Sequence, residues 1–481
     1  MAEVNRFGQR IETDYTRKMA QFVSNLKFED LSEEIVERVK LITLHTIGCS
    51  IASAPMETTI GADQVAAKIS GGPGAATSWV SGRKLSLLAA AFVNGTVSDM
   101  LDWEDCSYTG HPSAALVPGT MALCETQKAN GRDYITAFVA GYEIYQRVAL
   151  SVASPVYNRK DPKMGTSLPN CPIFGAAMSA AKIYGLSPEQ CNQAMGMAVL
   201  FLKQFSNLQQ ATMTEAYHYE YGWCTQGGIQ AALCVREGIS GPMDCFDTPY
   251  AFTEHLNTVN DRSEIPQWLD NALGERFMVM ELLLKHWPAN MYLQTPIEIA
   301  VELARDENID LDQVAEVILD PPARHRMHFR PEGYTSVMDA EFSAPFCIAA
   351  ALVDPNAGPQ WFSKENMKNP KVLELGAKIK GSETKLNGMG PVFTVFYQTE
   401  GKGFPDRSIT FKMKDGTVYE RTQAFHKGHP AMMYTQEELH EQFLRQTTPN
   451  MSEEKAEKLY RFIMDLENQA DISAIGALFG Q

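Results

Sequence analysis

The sequence predicts a mostly α-helical protein: a large all-helical domain, residues 1–278 and 425–481, with a smaller α+β domain, residues 279–424, placed before the C-terminal helices. Three observations predict it. Capped helical patterns follow one another through the first half of the chain. Strand-like alternation and a hairpin signal begin only near residue 280. After His429-Pro430 helical periodicity returns, and this tail is expected to pack back on the first domain. At 481 residues the chain is too long for one ordinary core.

The elements follow in order. In LSEEIVERVKLITL, Ser32 is an N-cap, Glu33 and Glu34 favour the first turn, and Ile35, Val39 and Ile42 recur at helical spacing. PIFGAAMSAAKIYGLSPEQ reads as a helix rich in small residues that ends at Gly185. Ser187-Pro188-Glu189-Gln190 then forms a capping box with proline in the first turn. GWCTQGGIQAALCV has the same small-residue character, so both helices are expected to approach their neighbours closely. Farther on, VAEVILDPP, GPVFTVFYQTE and RSITFKMKDGTVYERT alternate like strands, with Asp415-Gly416 as a hairpin turn. AEFSAPFCIAAALVD lies between them as a helix. TQEELHEQFLRQT and SEEKAEKLYRFIMDLEN supply the tail.

Composition narrows the function classes. Net charge is −16, which disfavours a nucleic acid or an anionic membrane as partner. It leaves an anionic small molecule open, because a local basic cluster overrides the global sign. No apolar run reaches the roughly 18 residues that span a bilayer, and the N-terminus has no apolar leader. The nine cysteines show no zinc-like spacing. They read as free thiols in a reducing compartment, and the expected location is cytoplasmic.

One stretch interrupts this apolar texture. LDWEDCSYTGHPSAAL, residues 101–116, carries three carboxylates, a thiol, a tyrosine and a histidine between two apolar runs. Two readings are open: a solvated connection whose acids cap the next helix, or a carboxylate–histidine pair in which Asp102 orients His111 for acid/base work. Asp and His at this separation, without a second histidine, match no standard metal-ligand spacing, so no metal is expected.

The succession SGRKLS, AAFVNGTVSDMLDWED and GHPSAALVP resembles the signature region of the MmgE/PrpD family, and the resemblance runs along nearly the whole chain. That family includes 2-methylcitrate dehydratases, cis-aconitate decarboxylases and iminodisuccinate epimerases. The resemblance implies a helical domain and a smaller α+β domain with the active site between them, and a homodimer. It assigns Asp102 and His111 to the family's catalytic Asp and His, and leaves Glu104, Asp105 and Tyr108 structural. Lys285 matches the lysine of the family's K-x-x-P. Other positions depart from the pattern. The family's threonine is Cys106, a second histidine is Thr166, a lysine is Tyr217 with His218 beside it, a small-domain tyrosine falls near Phe346, and an early aspartate is His45.

PPARHRMHFRPEGY is the densest basic cluster of this acidic chain. If its strand continued, Arg324, Arg326 and His328 would share one side, and either arginine would suit bidentate carboxylate recognition. The sequence therefore leads to a cofactor-independent lyase, of the dehydratase or decarboxylase type, acting on a small di- or tricarboxylate or related acid. His111, oriented by Asp102, would be the acid/base, Tyr217 or His218 a second one, and Lys285 with Arg324 or Arg326 the substrate clamps. Cys106, Thr166 and Phe346 would line the substrate. An epimerase on the same scaffold and a non-catalytic binding relative are the alternatives.

Overall fold

The architecture is taken from a computed structural model, which describes residues 11, 13–107, 110–157, 171–202, 212–247, 269–384 and 406–480. Helices dominate it. The first half contains α1 (Tyr15–Asn25), α2 (Glu33–Ala52), α3 (Glu57–Ser70), α4 (Leu87–Ser98), α5 (Pro112–Gln127), α6 (Gly131–Tyr157), α7 (Pro172–Ile183), α8 (Pro188–Val199) and α9 (Tyr219–Arg236), with a short antiparallel pair, β1 (Ala76–Thr77) and β2 (Lys84–Leu85), before α4. Their starts are chemically legible. Ser32 accepts a hydrogen bond from the Ile35 amide at 3.3 Å. Ser187 and Gln190 bond reciprocally, at 3.2 and 3.0 Å, with Pro188 in the first turn.

Helix α2 is buried nearly all round from Val39 onward, so the apolar stripe read from Ile35, Val39 and Ile42 is one side of a central helix. The hydroxyls on its other sides find partners locally; Thr46 Oγ1 donates to the Ile42 carbonyl at 2.8 Å. Small residues let the remaining helices close around it. At the crossing of α4 and α9, a Cβ on Gly222 would overlap Thr96 Oγ1 and the Phe92 carbonyl oxygen. Alanine there gains about 1 kcal/mol of helix propensity, but the clash is with backbone, which cannot rotate away. Gly222→Ala is therefore expected to cost about 1–3 kcal/mol net, read as a lower urea midpoint.

The second part holds a four-stranded sheet in the order β6-β5-β7-β8, where β5 is Val314–Asp320, β6 Ile379–Gly381, β7 Arg407–Met413 and β8 Val418–Gln423. β5 pairs parallel with β6 and antiparallel with β7, and β7 with β8 forms the expected hairpin. Gly416 turns it at φ 90°, and the Asp415 carboxylate accepts the Thr417 amide at 2.9 Å. Inward residues Val317, Leu319, Ile409 and Phe411 pack with α10 (Gln294–Asp306), α12 (Ala344–Val353) and α13 (Pro370–Lys378) in one core.

Two expectations change here. AEFSAPFCIAAALVD is not one helix: α11 (Val337–Glu341) stops, and Ser343 caps α12 by accepting the Phe346 amide at 3.3 Å. The β5 strand does not continue through the arginines, because Pro321 and Pro322 lack amide donors and a 3₁₀ turn, Arg324–Arg326, follows. GPVFTVFYQTE, read above as a strand, lies outside the described residues.

The tail helices α14 (Gln436–Thr447) and α15 (Glu453–Met464) return to the first core: Leu439, Phe443, Leu459 and Ile463 pack with Val39, Ile42 and Ile47 of α2. All nine cysteines are free and eight are buried, Cys234 being half-buried. Among the described residues, no helix is long and apolar enough to cross a membrane.

Candidate active site

The acids and the histidine of the polar stretch are buried, which removes the reading of a solvated surface connection. Asp102, Glu104 and Asp105 are 0 % exposed and His111 4 %. Helix α4 ends at Ser98, and the chain turns through Asp99 to Asp102, whose φ of 45° is left-handed, a conformation Asp tolerates better than most residues. Strand β3 (Asp105–Cys106) then pairs with β4 (Leu283–Leu284), and the Lys285 amide extends the ladder by donating to the Glu104 carbonyl at 3.1 Å. That pairing carries Lys285 to the turn.

Lys285 Nζ donates to the Asp102 carbonyl at 2.8 Å, contacts the Asp102 carboxylate, and lies 3.6 Å from Glu104 Oε1. The Lys285 carbonyl in turn accepts from His45 Nε2 at 3.0 Å and from Gln442 Nε2 at 3.4 Å. His45 thus supports the Lys285 backbone. Burial lowers its imidazole to about 4, so it is a neutral donor. Asp105 does different work. It caps α5, accepting the Ser113 amide at 3.0 Å and the Ser113 hydroxyl at 2.7 Å.

His111, the residue at the N-cap of α5, turns its Nδ1 to the acids. Asp99 Oδ1 is 2.6 Å away, Asp102 Oδ1 3.3 Å, and Glu104 Oε1 is in contact. The Tyr221 ring stacks on the imidazole with centroids 5.5 Å apart. His218, just before α9, donates from Nδ1 to the other oxygen of Asp99 at 2.8 Å, and its Nε2 lies 3.1 Å from Glu341 Oε1 at the end of α11. Tyr217 presents its ring edge to His111, His218 and Phe342, at 6.5, 5.4 and 5.6 Å.

Asp99, Glu104 and Glu341 are thus in the cluster although the sequence reading assigned none of them to the site. Asp99 had one signal: an acid at the C-terminal end of an apolar helix, where the dipole disfavours an anion, needs a cationic partner. The remaining candidates separate. Arg326 lays its guanidinium 4.2 Å over the Phe342 ring. Arg324 turns outward to the Ser382 carbonyl at 3.1 Å and to Glu383 at 3.6 Å. His328 meets Asp339 at 3.2 Å. Phe346 packs in the second core on Tyr334 and Phe362, at 4.9 and 6.1 Å; the aromatic that meets Tyr217 is Phe342, four residues earlier. Cys106 is buried with Sγ 3.3 Å from Met291 Sδ, and burial pushes its thiol well up. Thr166 and Tyr108 lie outside the described residues.

The electrostatics follow from burial set against ion pairing. Burial and Lys285 both act to lower His111, but Glu104, Asp99 and Asp102 outweigh them and raise it to about 10. Despite the same burial, Lys285 and His111 hold Glu104 far below the ordinary carboxylate range. Burial and the neighbouring Glu104 push Asp99 up to about 6. Burial raises Glu341 to about 8, and Glu341 with Asp99 holds His218 well above its usual value against the effect of burial. Donor atoms of Asp99, Asp102, Glu104 and His111 all lie within 4.8 Å of one another, a spacing compatible with a cation. Here Lys285 and the histidines supply that positive charge, and we read the group as an acid–base cluster. A groove of about 480 Å³ lies elsewhere, lined by Ile51, Pro55, Ile60, Trp79, Val80 and Met451, and no cluster residue borders it.

Comparison with known proteins bears on what such a cluster belongs to. The model of the MmgE/PrpD N-terminal domain matches residues 17–264, and that of the MmgE/PrpD C-terminal domain residues 287–468. The chain is similar to the cis-aconitate decarboxylase of Homo sapiens, 25 % identical over 96 % of this chain and 94 % of the relative. It is likewise similar to that of Mus musculus, 26 % identical over 96 % and 93 %. The cis-aconitate decarboxylase-like protein oryM of Aspergillus oryzae is 22 % identical over 97 % of both chains. The first match spans the turn and helices that hold Asp99, Asp102, His111 and His218, the second begins just after Lys285 and takes in Arg326 and Glu341, and the chain belongs to the MmgE/PrpD family.

Proposed function

We propose that the protein is a lyase of the dehydratase or decarboxylase type that acts on a small organic acid by proton transfer beside a carboxylate. The observation that carries the reading is His111, a buried imidazole held at Nδ1 by Asp99, Asp102 and Glu104. With Nδ1 committed to the acids, Nε2 is the nitrogen that exchanges a proton with substrate. The imidazolium donates that proton to the carbon left with an electron pair after CO₂ departs, or to a departing hydroxyl. Arg326 has no carboxylate at ion-pair distance among the described residues, and its buried Nε lacks a partner there, so its guanidinium is the cation available to a substrate carboxylate. Lys285 is engaged by Asp102 and Glu104, and it holds the site together.

On this reading the site lies between a large unit, residues 1–278 and 425–481, and a smaller one, residues 279–424. The first contributes Asp99, Asp102, His111 and His218; the second contributes Lys285, Arg326 and Glu341. The chain acts as a homodimer without metal or organic cofactor. The lyase is preferred to an epimerase because, among the described residues, neither candidate for a second base is free to act: His218 faces acids from both nitrogens, and burial pushes the Tyr217 hydroxyl well above its usual value.

A panel of hydroxy-, unsaturated and amino-substituted mono-, di- and tricarboxylates, assayed for CO₂ release and for alkene formation or loss, tests the proposal. Turnover of one class supports it, and no turnover across the panel rejects it. The pH profile gives a second check. The donor is active while protonated, and His111 holds its proton up to about 10. The alkaline limb of kcat/KM is therefore expected near pH 10; a limb near the ordinary histidine value of about 6.5 contradicts it.

A further inference from the structure

We infer that Asp99 is a positioning residue that joins His111 and His218 into one unit; this rests on the reading of His111 as the proton donor. The two oxygens of its buried carboxylate are divided between two imidazoles, Oδ1 at 2.6 Å from His111 Nδ1 and Oδ2 at 2.8 Å from His218 Nδ1. Each ring nitrogen facing it is therefore a donor, which fixes the tautomer of both rings when they are neutral and leaves each Nε2 pointing away from Asp99. For His218 that outer nitrogen meets Glu341 at 3.1 Å. For His111 it is the nitrogen assigned to substrate.

The residues around this unit explain why Asp99 is needed in addition to Asp102. Asp102 and Glu104 approach His111 from the turn, but both also face Lys285. Among the described carboxylates Asp99 alone reaches both rings, and it comes from the end of α4, the helix locked against α9 by the contact at Gly222. His218 therefore acts through Asp99: it is a cation that fixes the carboxylate which fixes His111. When His111 gives its Nε2 proton to substrate, its Nδ1–H stays on Asp99 and the ring keeps its orientation.

The test is Asp99→Asn. An amide keeps one oxygen and puts an N–H donor in place of the other, so it cannot accept Nδ1–H from both rings, and one of them loses its acceptor. In ¹⁵N-histidine NMR the wild type is expected to show hydrogen-bonded Nδ1–H signals from both rings, and the variant to lose that of His218, because His111 Nδ1 still faces Glu104 and Asp102. For the acid turned over, kcat should fall about 10²–10⁴-fold, the range of a lost proton-transfer arrangement, with KM within a few-fold. Retention of both signals together with wild-type kcat overturns the inference. The NMR needs no substrate, so absence of turnover by the wild type rejects the proposed function and leaves the joining of the two rings to be judged by the signals. If Asp99→Asn does not fold, His218 replaces it as the probe. His218→Gln keeps an N–H donor for Asp99 and is expected to retain much more activity than His218→Leu. Equal activity of the two, at the wild-type level, overturns the inference.

Discussion

Replacement of Lys285 by methionine is expected to lower the unfolding free energy by about 3–5 kcal/mol, the loss typical when one partner of a buried ion pair is removed. Lys285 is 0 % exposed, and its ammonium contacts the Asp102 carboxylate, the Asp102 carbonyl and Glu104. Methionine fills similar volume but leaves two buried carboxylates facing one another. The left-handed turn at Asp102 also loses the donor to its carbonyl. The main competing effect is that Glu104 takes up a proton, which limits the loss without restoring the hydrogen bonds. Adding Asp102→Asn should recover part of the stability, because Asn tolerates the left-handed backbone and removes one charge. Urea unfolding of the wild type, the single and the double variant measures this. A loss below about 1 kcal/mol, the level of an exposed pair, rejects the assigned role.

His111→Asn is expected to reduce kcat by about 10²–10⁴-fold, while substrate binding changes little. The amide can still donate to Asp99, so the acidic cluster keeps a partner, but no titratable group faces the substrate. The two substitutions therefore separate the roles of neighbouring residues. Lys285→Met shows chiefly in stability and His111→Asn chiefly in turnover. The stability term has its own pH dependence. His111 is raised from its ordinary value to about 10. Its pairing therefore stabilises the fold fully below about pH 6.5, and that stabilisation is lost as pH rises toward 10. His111→Asn removes this part of the alkaline slope.

The helical part of the fold was legible because its signals are local. Ser32, Ser187 and Thr435 each cap a helix through residues three positions on, so a short window contains both partners. The site is harder to read because its pairs are long-range. Asp99 meets His218 across 119 residues, and Lys285 meets Asp102 across 183. Lys285 entered the sequence reading through family resemblance; Asp99 and Glu341 had no such match and went unassigned. Glu104 was set aside as structural, yet it touches both His111 and Lys285. The placement of two other candidates follows from local chemistry. Alternation past β5 failed at Pro321 and Pro322, which separated Arg324 from Arg326. Phe346 follows Phe342 by four residues, but Ser343 starts a new helix between them, so the two rings belong to different elements.

On the proposed function, the buried cluster around His111 breaks a bond in a small acid by proton transfer. The most direct measurement is NMR of the reaction in D₂O, comparing wild type with His111→Asn. The wild type is expected to form a new alkene by loss of water, or to release CO₂ and leave one solvent deuterium at the vacated carbon, and the variant to do so at least about 10²-fold more slowly. Deuterium entering the substrate carbon with inversion and no net bond cleavage, or equal rates for the two proteins, would contradict it.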